Sequence, residues 1–332
     1  MLKRPVTFLA VAVSMALLSP AFAAVWDEPW HREVVSRAHT LGLYDVVTAS
    51  PTKTIFKRVK TLAGANTGEA VEVDGLYATI PLATSSRGGG RPDDELALRF
   101  GLGRRYYLFL QKAQSGGAWR IATPTTGFAE LRADGMVVAT FRHSLHKAVV
   151  DTATYELTQT CIFTALHNAG RCQDEVYQFI NAQVALEPAG AGTGASTEEQ
   201  ARFFSQHAAL ETGYLIGYSV NRDALTKFLA APFFHTQISA VRALAKADPK
   251  DRNSMLMAFV TDDTRTLLAR VFAVQMIREI DARDLKAQIE EYRPKASQEP
   301  VGLGARITDS RIGTDFPDSL RDALDRLLAT WK

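Results

Sequence analysis

The sequence predicts an α+β protein, with a small β-barrel in its N-terminal half and an α-helical stack in its C-terminal half. Short runs of β-branched and aromatic residues, separated by Gly, Pro and Ser, fill residues 40–140. From residue 153 onward the apolar residues instead recur at helical spacing. Between the two helical stretches, Pro188-Ala189-Gly190-Ala191-Gly192-Thr193-Gly194-Ala195 has the composition of a flexible linker. The expected organisation is a signal segment over 1–23, a barrel domain over 24–150, a helical hairpin closing it over 151–187, a linker over 188–196 and a helical domain over 197–332.

The first 23 residues carry Lys3 and Arg4, an apolar run from Val6 to Leu18, then Ser19-Pro20 and the small-residue pattern Ala21-Phe22-Ala23. This is the three-part layout of a secretory signal, with cleavage expected after Ala23. A membrane anchor needs about 20 apolar residues, and this run is shorter and interrupted by Thr7. The expectation is a soluble mature chain, exported to the periplasm or the extracellular space, with no transmembrane segment. The formal charge of +2 falls to zero once Lys3 and Arg4 are removed. Nucleic acid is therefore not an expected partner, and basic runs such as Lys57-Arg58-Val59-Lys60 read as a solvated strand face.

In the β half, Glu33–Ala38 has helical spacing, and Leu41–Thr48 and Thr54–Leu62 read as a hairpin turned at Ala49-Ser50-Pro51-Thr52. Ala70–Val73 begins a third strand. The loop over 84–94 contains Gly88-Gly89-Gly90 beside arginines, but it lacks the GxxxxGK[ST] pattern and following helix of a phosphate cradle, and reads as a hairpin tip. Arg105–Leu110 is apolar over five positions, as a strand buried on both faces would be. Gly116-Gly117 turns into Ala118–Ala122, and Met136–Thr140 adds another strand. Six or seven short strands with such turns argue for a closed or nearly closed barrel.

The order of Val46-Val47, Ile55–Val59, Leu62-Ala63-Gly64, Val71-Glu72-Val73, Arg104–Leu110 and Gly116–Trp119 resembles OB-fold barrels of the netrin-like and metalloproteinase-inhibitor-like class in secreted bacterial proteins. The animal inhibitors of that class act through an N-terminal cysteine, and this chain has no cysteine before Cys161. Inhibition therefore does not carry over from the resemblance. Thr123–Phe128 together with Ala139–His146 is similar to segments of uncharacterised exported bacterial proteins, which imply no activity.

The join over 141–172 concentrates the chemistry. Its cysteines, Cys161 and Cys172, are the two in the chain. In an exported protein they favour a disulfide over two buried thiols or half of a metal site. A bridge here would staple a helical hairpin across Asn168-Ala169-Gly170. If 142–147 is helical, His143 and His146 share a face and could be two ligands of a metal; if it is extended, they point to opposite faces. A zinc site needs three or four ligands, and Asp151, Glu156 and His167 lack diagnostic spacing. The structural alternative is that these imidazoles and Arg142 hydrogen-bond at the junction of barrel and helices.

Beyond the linker, Ser196-Thr197-Glu198-Glu199 opens a helix as a capping box. This helix carries Phe203, Phe204, His207, Leu210 and Tyr214, with His207 read as a core residue. The pattern Phe228-Leu229 followed by Ile238, Val241 and Leu244 is echoed at Phe259-Val260 followed by Val271, Val274 and Ile277. Asp262–Arg265 with Leu268–Val271 and Ile277–Asp281 resembles the turn and second helix of a HEAT unit, which implies stacked two-helix repeats. Asp262 and Asp263 are read as helix N-capping rather than acid–base groups. After the irregular stretch 293–317, Asp318–Trp331 is an amphipathic helix capping the stack.

These features predict a non-enzymatic exported binding or scaffold protein, with another protein or an envelope component as partner and no cofactor. No catalytic residue is assigned. A metal-dependent hydrolase using His143 and His146, and an envelope protease inhibitor, are the alternatives.

Overall fold

A computed structural model describes residues 26–27, 29–74, 79–81, 96–113, 118–143, 146–191, 194–301, 312–313 and 316–332. The expected signal segment over 1–23, the glycine-rich stretch over 84–94 and the turn expected at Gly116-Gly117 lie outside the described residues. The chain is α+β. The strands are β1 (Trp26–Asp27), β2 (Thr40–Ala49), β3 (Lys53–Gly64), β4 (Ala70–Asp74), β5 (Thr79–Pro81), β6 (Leu96–Leu98), β7 (Arg105–Lys112), β8 (Trp119–Ile121), β9 (Phe128–Leu131), β10 (Met136–Thr140), β11 (Lys147–Asp151) and β12 (Ile312–Gly313). The helices are α1 (His31–Arg37), α2 (Thr152–Leu166), α3 (Asp174–Ala185), α4 (Thr197–Ile216), α5 (Arg222–Ala230), α6 (Phe234–Leu244), α7 (Pro249–Thr261), α8 (Leu267–Glu279), α9 (Lys286–Tyr292) and α10 (Leu320–Thr330).

Eight strands form one antiparallel sheet in the order β11-β10-β9-β7-β2-β3-β4, with β8 paired to the far end of β7. The apolar run Tyr106–Leu110 is buried on both faces, as its composition requires. Tyr107 and Phe109 face the helices, while Tyr106, Leu108 and Leu110 face a second core. That second core lies where β8 comes alongside β4 and the sheet curls round on itself. Phe100 sits at its centre, edge-on to Phe56, Tyr106 and Phe128 at ring-centroid distances of 5.0, 5.1 and 5.0 Å. Each such fully buried aromatic or aliphatic side chain stabilises the fold by about 1.5–3 kcal/mol.

The β2–β3 hairpin matches the sequence expectation, and Gly64 ends it for a steric reason. Its φ of +80° brings it against His39, where an added Cβ would stand 2.3 Å from the carbonyl oxygen. Strands β9 and β11 are short and weakly patterned, and their pairing with β10 is what defines them: Val138 lies opposite Glu130 and Val137 opposite Val150. The segment after Thr140 is therefore a tight connection between β10 and β11, with the His146 amide donating to the His143 carbonyl at 2.9 Å.

In the helical half, α4 packs on α6, α6 on α8 and α8 on α10, while α5 flanks α6 and α7 flanks α8. The start of α4 is the expected capping box, with reciprocal bonds between Ser196 and Glu199, and its end is Gly217 in the left-handed region at φ 74°. Asp262 closes the turn before α8 by accepting from the Thr264 amide, and Thr266 is the N-cap itself. The helices are fastened to the sheet: α4 packs against α2 and β11, and one buried apolar cluster runs from Val34 to Trp331. Within the 188–196 segment, Ala189 is buried and donates its amide to Gln206 Oε1 at 2.8 Å. Cys161 in α2 and Cys172 before α3 form a disulfide with a Cα–Cα distance of 4.9 Å, which in the chain-entropy view stabilises by about 2–3 kcal/mol. Among the described residues, no helix is long and apolar enough to cross a membrane.

Candidate functional site

Where sheet meets helices, a set of charged and imidazole side chains is buried together. Arg142, at the end of the β10 segment, is 2 % exposed, and Glu211 in α4 is fully buried. Arg142 Nε donates to Glu211 Oε1 at 2.7 Å, and Arg242 Nε from α6 donates to Glu211 Oε2 at 2.8 Å. Arg142 Nη2 donates to Ser239 Oγ at 2.5 Å and to the His235 carbonyl at 3.1 Å, and Ser239 Oγ donates in turn to Glu211 Oε1 at 3.1 Å. One carboxylate therefore bridges two guanidiniums in an apolar interior. Burial alone would raise the Glu211 carboxyl, but Arg242 and Arg142 outweigh it and hold it below the usual carboxylate range. Burial lowers Arg142 more than Glu211 restores it, whereas Glu211, Tyr214 and Glu279 outweigh burial at Arg242 and raise it.

Helix periodicity brings these groups together. Glu211 lies four residues after His207 on α4, and Arg242 three residues after Ser239 on α6, so each charge is carried on the buried side of its helix beside another polar side chain. A charge at a buried helix position is the sequence signal at Glu211 and Arg242, and no local pattern marks Ser239 or His235. Arg142 hydrogen-bonds at the junction of sheet and helices, as the sequence predicts.

His143 and His146 face different neighbours. The His143 ring lies 4.8 Å from Trp30, whereas the His146 ring stacks on His207 at 4.0 Å and meets His235 edge-on at 4.2 Å. The sequence-stated further ligands are engaged elsewhere. Asp151 caps α2 at the Thr154 amide, Glu156 pairs with Lys60 and accepts from the Tyr107 hydroxyl, and His167 bridges the Phe163 and Ala38 carbonyls. Among the described residues, no group of three or more His, Cys, Asp or Glu side chains is arranged to hold a metal ion.

The buried imidazoles are held neutral. Burial pushes His31 down to about 4, against the hydrogen bond that its Nε2 donates to Gln159 Oε1. Burial, with Arg142 and His235 beside them, also pushes His146 and His207 well below the ordinary histidine range. Nδ1 of His31, Nδ1 of His146 and Nε2 of His207 have no hydrogen-bond partner among the described residues.

On the solvent side of this cluster, α1, α4, α6 and α8 enclose a cleft of about 380 Å³. Arg242 and Tyr214 line it, with the Arg242 guanidinium 4.0 Å from the centre of the Tyr214 ring. The Tyr214 hydroxyl donates to Glu279, which also accepts from Lys246 Nζ at 2.6 Å. Compared with known protein families, curated proteins and solved structures, the chain matches none.

Proposed function

We propose that the chain is an exported, non-enzymatic binding or scaffold protein whose partner is another protein or an envelope component. The observation that carries this reading is the use to which the converging polar groups are put. Arg142, Glu211 and Ser239 bond one another beneath the surface, Arg242 joins them through its Nε, and together they clamp sheet and helices into one packed unit. Such a unit can display a helical surface without reorganising on binding, which lowers the ordering cost of association. We read the row α4-α6-α8-α10, with its flanking helices α5 and α7, as a HEAT-like stack, and the curled strands as an OB-like barrel. Repeated helices of this kind commonly serve as extended binding surfaces.

The hydrolase reading on His143 and His146 is the weaker one, because their rings turn to separate surroundings. The inhibitor reading rests on the barrel resemblance alone.

The test uses the mature full-length chain as bait in an envelope extract of the native cell, beside the double variant Thr226→Arg and Ala258→Arg. Both positions are exposed on α5 and α7, so the fold is retained while the surface changes. A defined protein captured by the native chain and lost by the variant supports the reading. A partner kept by both removes the flanking helices as the binding surface. Stoichiometric zinc, iron or manganese in the purified protein would overturn the non-enzymatic assignment.

A further inference from the structure

The cleft beside Trp30 has the chemistry of a small-molecule site. Arg242 is 5 % exposed, yet the one hydrogen bond of its side chain is from Nε to Glu211. Its terminal nitrogens donate to nothing among the described residues, and the residue lines the cleft. These donors open onto the cleft, where an acceptor group of a ligand can take them up. Its position is fixed, because Glu211 grips one edge and the Tyr214 ring lies against its face.

Further positive charge gathers at the same place. The Tyr214 ring carries Arg32 at 5.3 Å and Lys246 at 4.9 Å in addition to Arg242. Lys246 is matched by Glu279, and Glu33 by Arg37. Arg32 and Arg278, both lining the cleft, make no ion pair with a carboxylate among the described residues. Three arginines and two glutamates line the cleft and leave one net positive charge. That balance suits a monoanion and disfavours a doubly charged phosphate. Trp30 and the buried Met276 supply apolar wall on the same cleft. The volume is at the small end of ligand pockets, which span roughly 300–1,000 Å³.

We propose that this cleft binds a small organic molecule bearing a single carboxylate. The carboxylate is received by the terminal nitrogens of Arg242, the planar fork that matches a carboxylate in two parallel hydrogen bonds. Arg32 and Arg278 complete the charge balance, and the apolar body of the ligand rests on Trp30 and Met276. The site goes beyond the binding role proposed above and does not depend on it.

Phenylacetate is a suitable probe, titrated into the mature full-length protein and followed by tryptophan fluorescence and ligand-observed NMR. Phenylacetamide and inorganic phosphate form the comparison arms. The expected result is saturable binding with a dissociation constant of about 1 mM or tighter, the range open to a ligand of this size. Phenylacetamide, the same shape without the charge, binds at least about tenfold more weakly. Arg278→Glu turns the net charge of the lining from positive to negative and is expected to weaken phenylacetate at least about tenfold with an unchanged melting temperature. Arg242→Lys keeps a cation against Glu211 but loses the fork, and is expected to lose about tenfold. Should Arg242→Lys fail to fold, Arg278→Glu and the neutral probe decide the matter. Equal binding of phenylacetate and phenylacetamide, equal binding by the native and Arg278→Glu proteins, tighter binding of phosphate, or no saturable phenylacetate binding would each overturn the proposal. None of these outcomes alters the capture of a protein partner, so the two readings fail separately.

Discussion

Replacing Glu211 by glutamine tests the buried cluster most directly. The side chain keeps its shape, but the charge that both Arg142 and Arg242 face is removed. One of the two carboxylate oxygens also becomes an amide nitrogen, which sets a donor against a guanidinium donor. Both arginine side chains are nearly inaccessible, at 3 and 6 % exposure, and the nitrogens that face Glu211 are turned inward, away from water. Breaking a buried pair in this way costs about 3–5 kcal/mol, a large part of the roughly 5–15 kcal/mol that stabilises an ordinary domain. Urea unfolding of the protein, followed in parallel by far-ultraviolet circular dichroism and tryptophan fluorescence, would show the midpoint moving down with the slope preserved. A triple change, Arg142→Met with Glu211→Leu and Arg242→Met, removes the charges together and is expected to cost less than Glu211→Gln alone. A loss below about 1 kcal/mol in Glu211→Gln would refute the reasoning, since it would mean that the guanidiniums find water without the carboxylate.

Two further outcomes follow from the same structure. The folded-state values of His31, His146 and His207 lie below the unfolded value of 6.5, so below that pH the unfolded chain binds protons that the folded chain refuses. Stability is then greatest above pH 6.5 and declines as the pH falls through that value toward the folded-state ones; urea midpoints that stay level from pH 7 to pH 5 would contradict it. Changing Cys161 and Cys172 together to serine opens the α2–α3 staple, and thermal unfolding should report a loss of about 2–3 kcal/mol without loss of the far-ultraviolet spectrum.

The sequence alone determined the α+β class, the β2–β3 hairpin, the doubly buried strand β7 and the capping box of α4. These are local matters, because period, turn composition and cap residues act over a few neighbouring positions. It favoured a bridge between Cys161 and Cys172 over free thiols or a metal site, and the structure supplies the bridge. It also placed β10 correctly, but left β9 and β11 unmarked, because four- and five-residue strands gain their stability from cross-strand partners rather than from pattern.

Tertiary structure alone decided the fate of the join. His143 and His146 are three residues apart in the chain, yet a tight connection between strands sends one to Trp30 and the other to His207 and His235. Arg142 and Glu211 are 69 residues apart, and no local rule brings two such charges together. Their contact arises because the face of α4 that carries Phe203 and Leu210 must bury itself against α6 and the sheet, and Glu211 is carried in with it. Once there, the carboxylate has no water and must find its cations, and the same packing leaves the outer nitrogens of Arg242 turned toward the cleft. The pattern of apolar residues thus sets which surfaces meet, and the polar residues caught between those surfaces acquire their partners only when they do.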